Sequence, residues 1–152
     1  MDIAFAKYDL PKSGVAVFFI HDDLKPAGLL AKIAKGINLE KSIKCSKAFK
    51  GKFGQILSIL APLGTSLDRV VVFGIGAQKD VTDQSLINIG GKVCAYMNQI
   101  EVADATIVVE EKLGSKLSVD ECVTNILMGA GLRSYNFDNY FVDKKDEHKM
   151  HV

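Results

Sequence analysis

Two stretches of the chain are apolar without interruption: GVAVFFI, Gly14 to Ile20, and VVVF, which closes Arg69–Phe73. A strand with one wet face alternates apolar with polar residues. These two do not alternate, so each reads as a strand covered on both faces, as in a parallel sheet flanked by helices. The expected fold class is α/β, with three layers in the order α/β/α.

The other segments fit that frame. DIAFAK, from Asp2, alternates weakly and reads as an edge strand. After Ile20, the residues Leu29, Leu30, Ile33 and Ala34 recur at helical spacing, and Gly36 suits a helix stop. Ile43 to Phe49 alternates and reads as a strand, followed by a turn at Gly51 and a second strand from Gln55 to Leu60. Pro62 and Gly64 then break the chain. Thr82 to Ile100 is helical in pattern, with Leu86, Gly90, Val93 and Met97 on one face. Gly90 and Gly91 each cost a helix about 1 kcal/mol against alanine, so their expected use is close approach of the helix to the sheet. Ala103 to Glu110 reads as a strand. In SVDECVTNILMGAGL, Ser118 and Glu121 form a capping box ahead of an apolar stripe. Strands alternating with helices imply parallel strands joined by crossovers. The hairpin-like segment around Gly51 adds an antiparallel element, so the sheet is expected to be mixed and mostly parallel. The closing DKKDEHKMHV is charged and reads as linker or frayed tail, which sets the expected domain at 1–142 and a linker at 143–152.

With 152 residues, the chain has the size of one domain. Its 19 basic and 18 acidic residues leave a net charge of +1, which is not the footprint of a nucleic-acid binder. Cys45, Cys94 and Cys122 form no Cys-x-x-Cys pair and read as reduced, as in a cytosolic protein. The N-terminus lacks a basic region followed by an apolar run, and VAVFFI is far too short to span a bilayer. A soluble, cytoplasmic protein is expected.

Candidate sites are few. Gly74 and Gly76 follow a strand, but the next position of a dinucleotide fingerprint is Lys79, and KDVTD separates the glycines from the helix. A tight strand exit is the simpler reading. His21, beside Asp22 and Asp23, follows a buried strand, where ligands bind in open α/β sheets. That trio suits acid–base or metal chemistry, although a turn or cap role accounts for the aspartates more simply. His148 and His151 lie in the polar tail and read as solvated. No Gly-x-Ser-x-Gly elbow is present. Tyr135, Phe137, Tyr140 and Phe141 crowd into seven residues after the capped helix. They either cover the edge of the domain's own core or dock on another domain or subunit.

FKGKFGQILSIL, RVVVFGIGAQKDVT and GAGLRSYNFDNYFVDKK follow one another in order, and together they resemble the N-terminal domain of the leucine aminopeptidase (cytosol aminopeptidase) family. The matching positions are Phe49, Gly51 and Lys52; then Val72, Gly74 and Gly76; then Gly129, Tyr135, Phe137, Asp138 and Tyr140. The resemblance covers nearly the whole chain and implies a macro-domain-like fold. It implies no cofactor role for the Gly-x-Gly. The parent it implies is a metal-dependent exopeptidase that releases N-terminal residues, leucine among them, from peptides. In that family two divalent ions, zinc or manganese, and a signature Asn-Thr-Asp-Ala-x-Gly-Arg-Leu belong to a C-terminal catalytic domain. That signature does not occur here, so no catalytic, cofactor-binding or metal residue is assigned, and this chain alone is expected to be inactive. A truncated chain is the simplest account.

Members resembling it form hexamers, with this domain on the outside of the catalytic core. Assembly, substrate access or regulation is therefore its expected role, and the chain's own catalytic domain its expected partner. Some bacterial members bind DNA through this domain, and the strip KSIKCSKAFKGK, with five lysines from Lys41 to Lys52, leaves nucleic acid open. A solvated strand edge guarded by lysines is the plainer reading of that strip. The alternative function is a stand-alone macro-like module for a nucleotide or ADP-ribose, with its pocket near His21–Asp23 and Gly74–Ala77.

Overall fold

Strands β2 (Val15–Ile20) and β4 (Arg69–Gly74) lie side by side in parallel, with Phe18 opposite Val72 and Phe19 opposite Phe73. Every residue of β2 is buried. The computed structural model describes residues 2–5, 9–110, 113–140 and 149–151, with 135–140 and 149–151 described by backbone alone. Around the central pair run β1 (Asp2–Ala4), α1 (Gly28–Ile33), α2 (Leu39–Cys45), β3 (Ile56–Leu60), α3 (Asp83–Gln99), β5 (Asp104–Ile107), α4 (Val119–Tyr140) and β6 (Lys149–His151). The sheet order is β1-β6-β5-β2-β4-β3, and β3 alone among the described strands is antiparallel to its neighbour. The fold is α/β with a mixed, mostly parallel sheet, as expected.

Period-two geometry divides the apolar runs between two cores. Val15, Val17, Phe19, Val71 and Phe73 face α3 and α4. Ala16, Phe18, Ile20, Val70 and Val72 face the side of α1 and α2, where Leu29, Leu30 and Leu39 are buried. Phe73 packs edge-on against Tyr96 of α3, with ring centroids 6.0 Å apart. A central strand that serves both cores has no room for a polar residue, which is why the pattern never alternates.

Four expectations need correction. Ile43 to Phe49 is not a strand: Leu39–Cys45 forms α2, with Leu39 buried and Ile43 packed one turn on. Lysines at near-alternate positions imitate a strand, but Glu40 and Lys44 pair at i,i+4, as helical spacing requires. The lysine strip therefore guards no sheet edge. The edge strand nearest it, β3, reads ILSIL and pairs with β4 across the Pro62–Gly64 break, Ile56 opposite Phe73 and Leu60 opposite Arg69, while β1 forms the opposite edge as expected. Gly90 approaches α4 and not the sheet, because a Cβ there would overlap the Ile126 carbonyl. The aromatic segment does not follow the capped helix, since α4 runs through to Tyr140. Finally, charge alone marks the tail as linker, yet Lys149–His151 forms β6 between β1 and β5, because main-chain pairing is indifferent to side-chain polarity.

Both long helices begin on side-chain caps. Ser118 N donates to Glu121 Oε2 at 3.0 Å and Glu121 N donates to Ser118 Oγ at 3.2 Å, the expected capping box. Thr82 and Ser85 make the same reciprocal pair at the start of α3, at 3.2 and 2.8 Å.

Candidate functional site

The carboxyl ends of β2 and β4 lie where open α/β sheets take their ligands. Here the chain crosses over itself. Ile75 N donates to Ile20 O at 2.9 Å, and Asp22 N donates to Gly76 O at 3.2 Å, so His21–Asp23 and Gly74–Ala77 meet as the sequence suggested. A third segment, Gly51–Gln55, lies over both. Gly76 N donates to Gly51 O, Gly54 N to Gly74 O and Gly74 N to Gln55 O, at 3.0, 3.0 and 2.8 Å. A Cβ on Gly74 would strike the Gly51 and Lys52 carbonyls, and one on Gly51 would strike the His21 carbonyl. Gly74 is thus needed for backbone-on-backbone contact, and Gly76 for its left-handed φ of 75°. A phosphate cradle requires uncommitted amides. The amides of Gly74 and Gly76 already serve main-chain acceptors.

Gln55 braces this crossing. Its Oε1 accepts from Lys50 N and Lys52 N at 2.7 and 3.1 Å, and its Nε2 donates to Ala48 O at 2.8 Å. His21 Nε2 lies 2.7 Å from Leu113 O, a contact that requires Nε2 to carry the proton. Asp23 Oδ1 accepts from Lys25 N at 3.0 Å, the turn role weighed from sequence. His21 and Asp23 thus hold loops through their side chains, and Asp22 does so through its main chain. Among the described residues, no group of three or more His, Cys, Asp or Glu side chains could hold a metal ion. No described helix is long and apolar enough to cross a membrane.

Sequence reading missed Glu110, a buried carboxylate 7% exposed. It follows β5, and its Oε1 accepts from Leu29 N at 3.0 Å, tying the end of that strand to the start of α1. An acid closing an apolar run carries no sequence signal of this role, because the partner amide is far away in the chain.

The model of the cytosol aminopeptidase family, N-terminal domain, matches residues 15–144. The chain belongs to this family. A probable cytosol aminopeptidase from Chelativorans sp. (strain BNC1) is 36% identical over 138 residues, covering 91% of this chain and 27% of the relative. One from Aquifex aeolicus (strain VF5) is 32% identical over 151 residues, covering 97% and 29%. The chain thus spans less than a third of the length of these relatives. Among solved structures, the macrodomain of Mycobacterium tuberculosis DarG superposes with a TM-score of 0.65 at 10% identity, covering 99% of this chain and 97% of that one. The bottromycin maturation enzyme BotP gives 0.61 at 14% identity, covering 91% and 27%. Identities this low establish the fold alone, and that fold is macrodomain-like.

In this aminopeptidase N-terminal domain, several of the described motif residues that carry the resemblance are packing residues. Phe49 is buried at 2% exposure, Gly51 and Gly74 make the strand-end crossing, and Gly129 sits against the Ile87 carbonyl of α3. Tyr135, Phe137 and Tyr140 lie on α4, but their side chains fall outside the described residues, as does Phe141 altogether. His148 also lies outside them, and His151 is described only as a backbone position of β6.

Proposed function

We propose that this domain is the non-catalytic N-terminal part of a longer, cytosolic, metal-dependent aminopeptidase. The parent would release N-terminal amino acids, leucine among them, from peptides. The single observation that carries the reading is the family match over 15–144 together with relatives more than three times as long. Two divalent ions, manganese or zinc, would be held outside this chain, and the described residues supply no ligand set for them. The domain's own work is assembly of a homo-oligomer, a hexamer by resemblance, or control of substrate access, or regulation.

Exposed apolar residues on α4 support a docking role. Met128 and Leu132 are 49% and 56% exposed and stand one turn apart. Tyr135, Phe137, Tyr140 and Phe141 remain our candidates for contact with the catalytic domain or a neighbouring subunit. The ADP-ribose reading gains no support from the amides of Gly74 and Gly76, which already serve main-chain acceptors.

The deciding experiment is an immunoblot of native extract with an antibody raised on this chain. The expected band is far larger than 16.5 kDa, and immunopurified material should hydrolyse leucine p-nitroanilide with added Mn²⁺ while the chain alone does not. A sole band at 16.5 kDa, or robust turnover by the chain alone, would overturn the proposal.

A further inference from the structure

The near-neutral total charge conceals a strong asymmetry. Residues 24–52 contain eight of the chain's 19 basic residues and one of its 18 acidic residues. They form α1, α2 and the flanking loops. The segment bears on one face of the sheet only. Within it opens a cleft of about 830 Å³, bounded by the Leu24–Pro26 segment, the residues just after α1 and one side of α2. That volume lies in the range of built ligand sites.

The chemistry of the cleft is divided. Leu24, Pro26, Leu39 and Ile43 give it an aliphatic lining, and Lys25, Lys35, Lys41 and Lys44 surround that lining. All four lysines are exposed. Only Lys44 has an ion pair among the described residues, with Glu40 at 2.8 Å. The others have no carboxylate partner there. Leu24 holds a left-handed φ of 57°, which is costly for a leucine. Its side chain lies against Gly51 in the strand-end crossing, so the lining is held in place before any ligand arrives. An aliphatic floor with four exposed lysines around it, three of them without an ion pair among the described residues and the fourth paired with Glu40, which also lines the cleft, is complementary to an anion with an apolar body.

Two kinds of macromolecule present clustered negative charge. Single-stranded nucleic acid is gripped by aromatic stacking platforms and by arginine. This cleft has neither. We propose that it docks a short acidic peptide segment of a partner protein, with one or two aliphatic or aromatic anchors on the half-buried Leu24, Pro26 and Ile43 and flanking carboxylates on the lysine rim. This goes beyond the proposed domain role, and it does not depend on the fate of the parent peptidase.

The test is fluorescence anisotropy with the full chain. The probe is a labelled peptide of about twelve residues that alternates Glu-Asp pairs with Leu and Phe. Its controls are a peptide with the acids changed to Gln and Asn, one with Leu and Phe changed to Ser, and a single-stranded DNA of equal charge. The acidic, apolar peptide is expected to bind saturably and to weaken with salt, and each control peptide to lose roughly tenfold or more in affinity. The double variant K35E/K41E should lose about tenfold, whereas K116E, outside the segment, should stay within about twofold. All three substituted lysines are exposed, and an unchanged circular dichroism melt will show that the fold is retained. Equal losses in K35E/K41E and K116E would overturn the assignment. So would tighter binding of the DNA than of the peptide, or no saturation at millimolar peptide.

Discussion

Gly90 of α3 lies against the backbone of Ile126, and Gly129 of α4 lies against the backbone of Ile87, so each helix supplies the glycine that admits the other. A Cβ on either would fall inside the facing carbonyl oxygen. Asn125 Nδ2 donates to Asp83 Oδ1 at 2.6 Å across the same seam. This closeness lets α3 and α4 act as one layer over the sheet face lined by Val71 and Phe73.

Substitution along that seam should therefore divide sharply. Gly90→Ala and Gly129→Ala are each expected to cost about 3 kcal/mol, the upper part of the overpacking range. The double variant should fall short of the sum, because the first clash already parts the helices. Gly91 is the control: a Cβ there would find its nearest neighbour at 3.6 Å, so Gly91→Ala should add about 0.5–1 kcal/mol through helix propensity alone. Urea unfolding midpoints would measure all four proteins. A neutral Gly90→Ala would contradict the packing described.

At the strand-end crossing, Gln55→Ala removes an acceptor shared by two amides and a donor to Ala48 O. A loss of about 1–2 kcal/mol is expected. Gln55→Glu keeps the acceptor oxygen, so it should recover part of that loss. Hydrogen exchange at Lys50 and Lys52 amides would show which bonds had gone, and unchanged protection in Gln55→Ala would sink the assignment.

Glu110→Ala deletes the carboxylate that receives Leu29 N, at a buried position. The cost is expected to be about 1–3 kcal/mol, and Glu110→Gln should cost less, since its amide oxygen can still accept. Thermal melts would rank the two variants. Equal stability of wild type and Glu110→Ala would exclude a structural role at α1.

Burial pushes the Cys122 thiol above its ordinary range; a Gly114 backbone hydrogen bond opposes this, while Glu121 and Asp83 add to it. The folded protein then holds this proton to higher pH than the unfolded chain does. The resulting stability is complete below the ordinary thiol pKa and is lost as pH rises through the raised one. Between about pH 7 and pH 10, wild type should lose more stability than Cys122→Ala does. Parallel pH profiles would refute this. Ellman's reagent should meanwhile find exposed Cys45 in the native protein, and Cys94 and Cys122 only after unfolding.

Much of this protein was decided locally. Unbroken apolar runs at Val15–Ile20 and Val70–Phe73 require two covered faces, and the Ser118–Glu121 box starts a helix wherever it stands. Those features identify an α/β layer structure before any contact is known, and the ordered motifs from Phe49 to Tyr140 identify the family. Other features were settled only by distant partners. Leu39–Cys45 carries a pattern open to strand or helix, and the cover it gives one sheet face resolved it. Lys149–His151 has no apolar signal, yet it pairs between β1 and β5, because strand hydrogen bonds come from the backbone. The same reason governs Gly51, Gly74, Gly90 and Gly129. A glycine states that a side chain is absent, and only the tertiary structure states which backbone occupies the space.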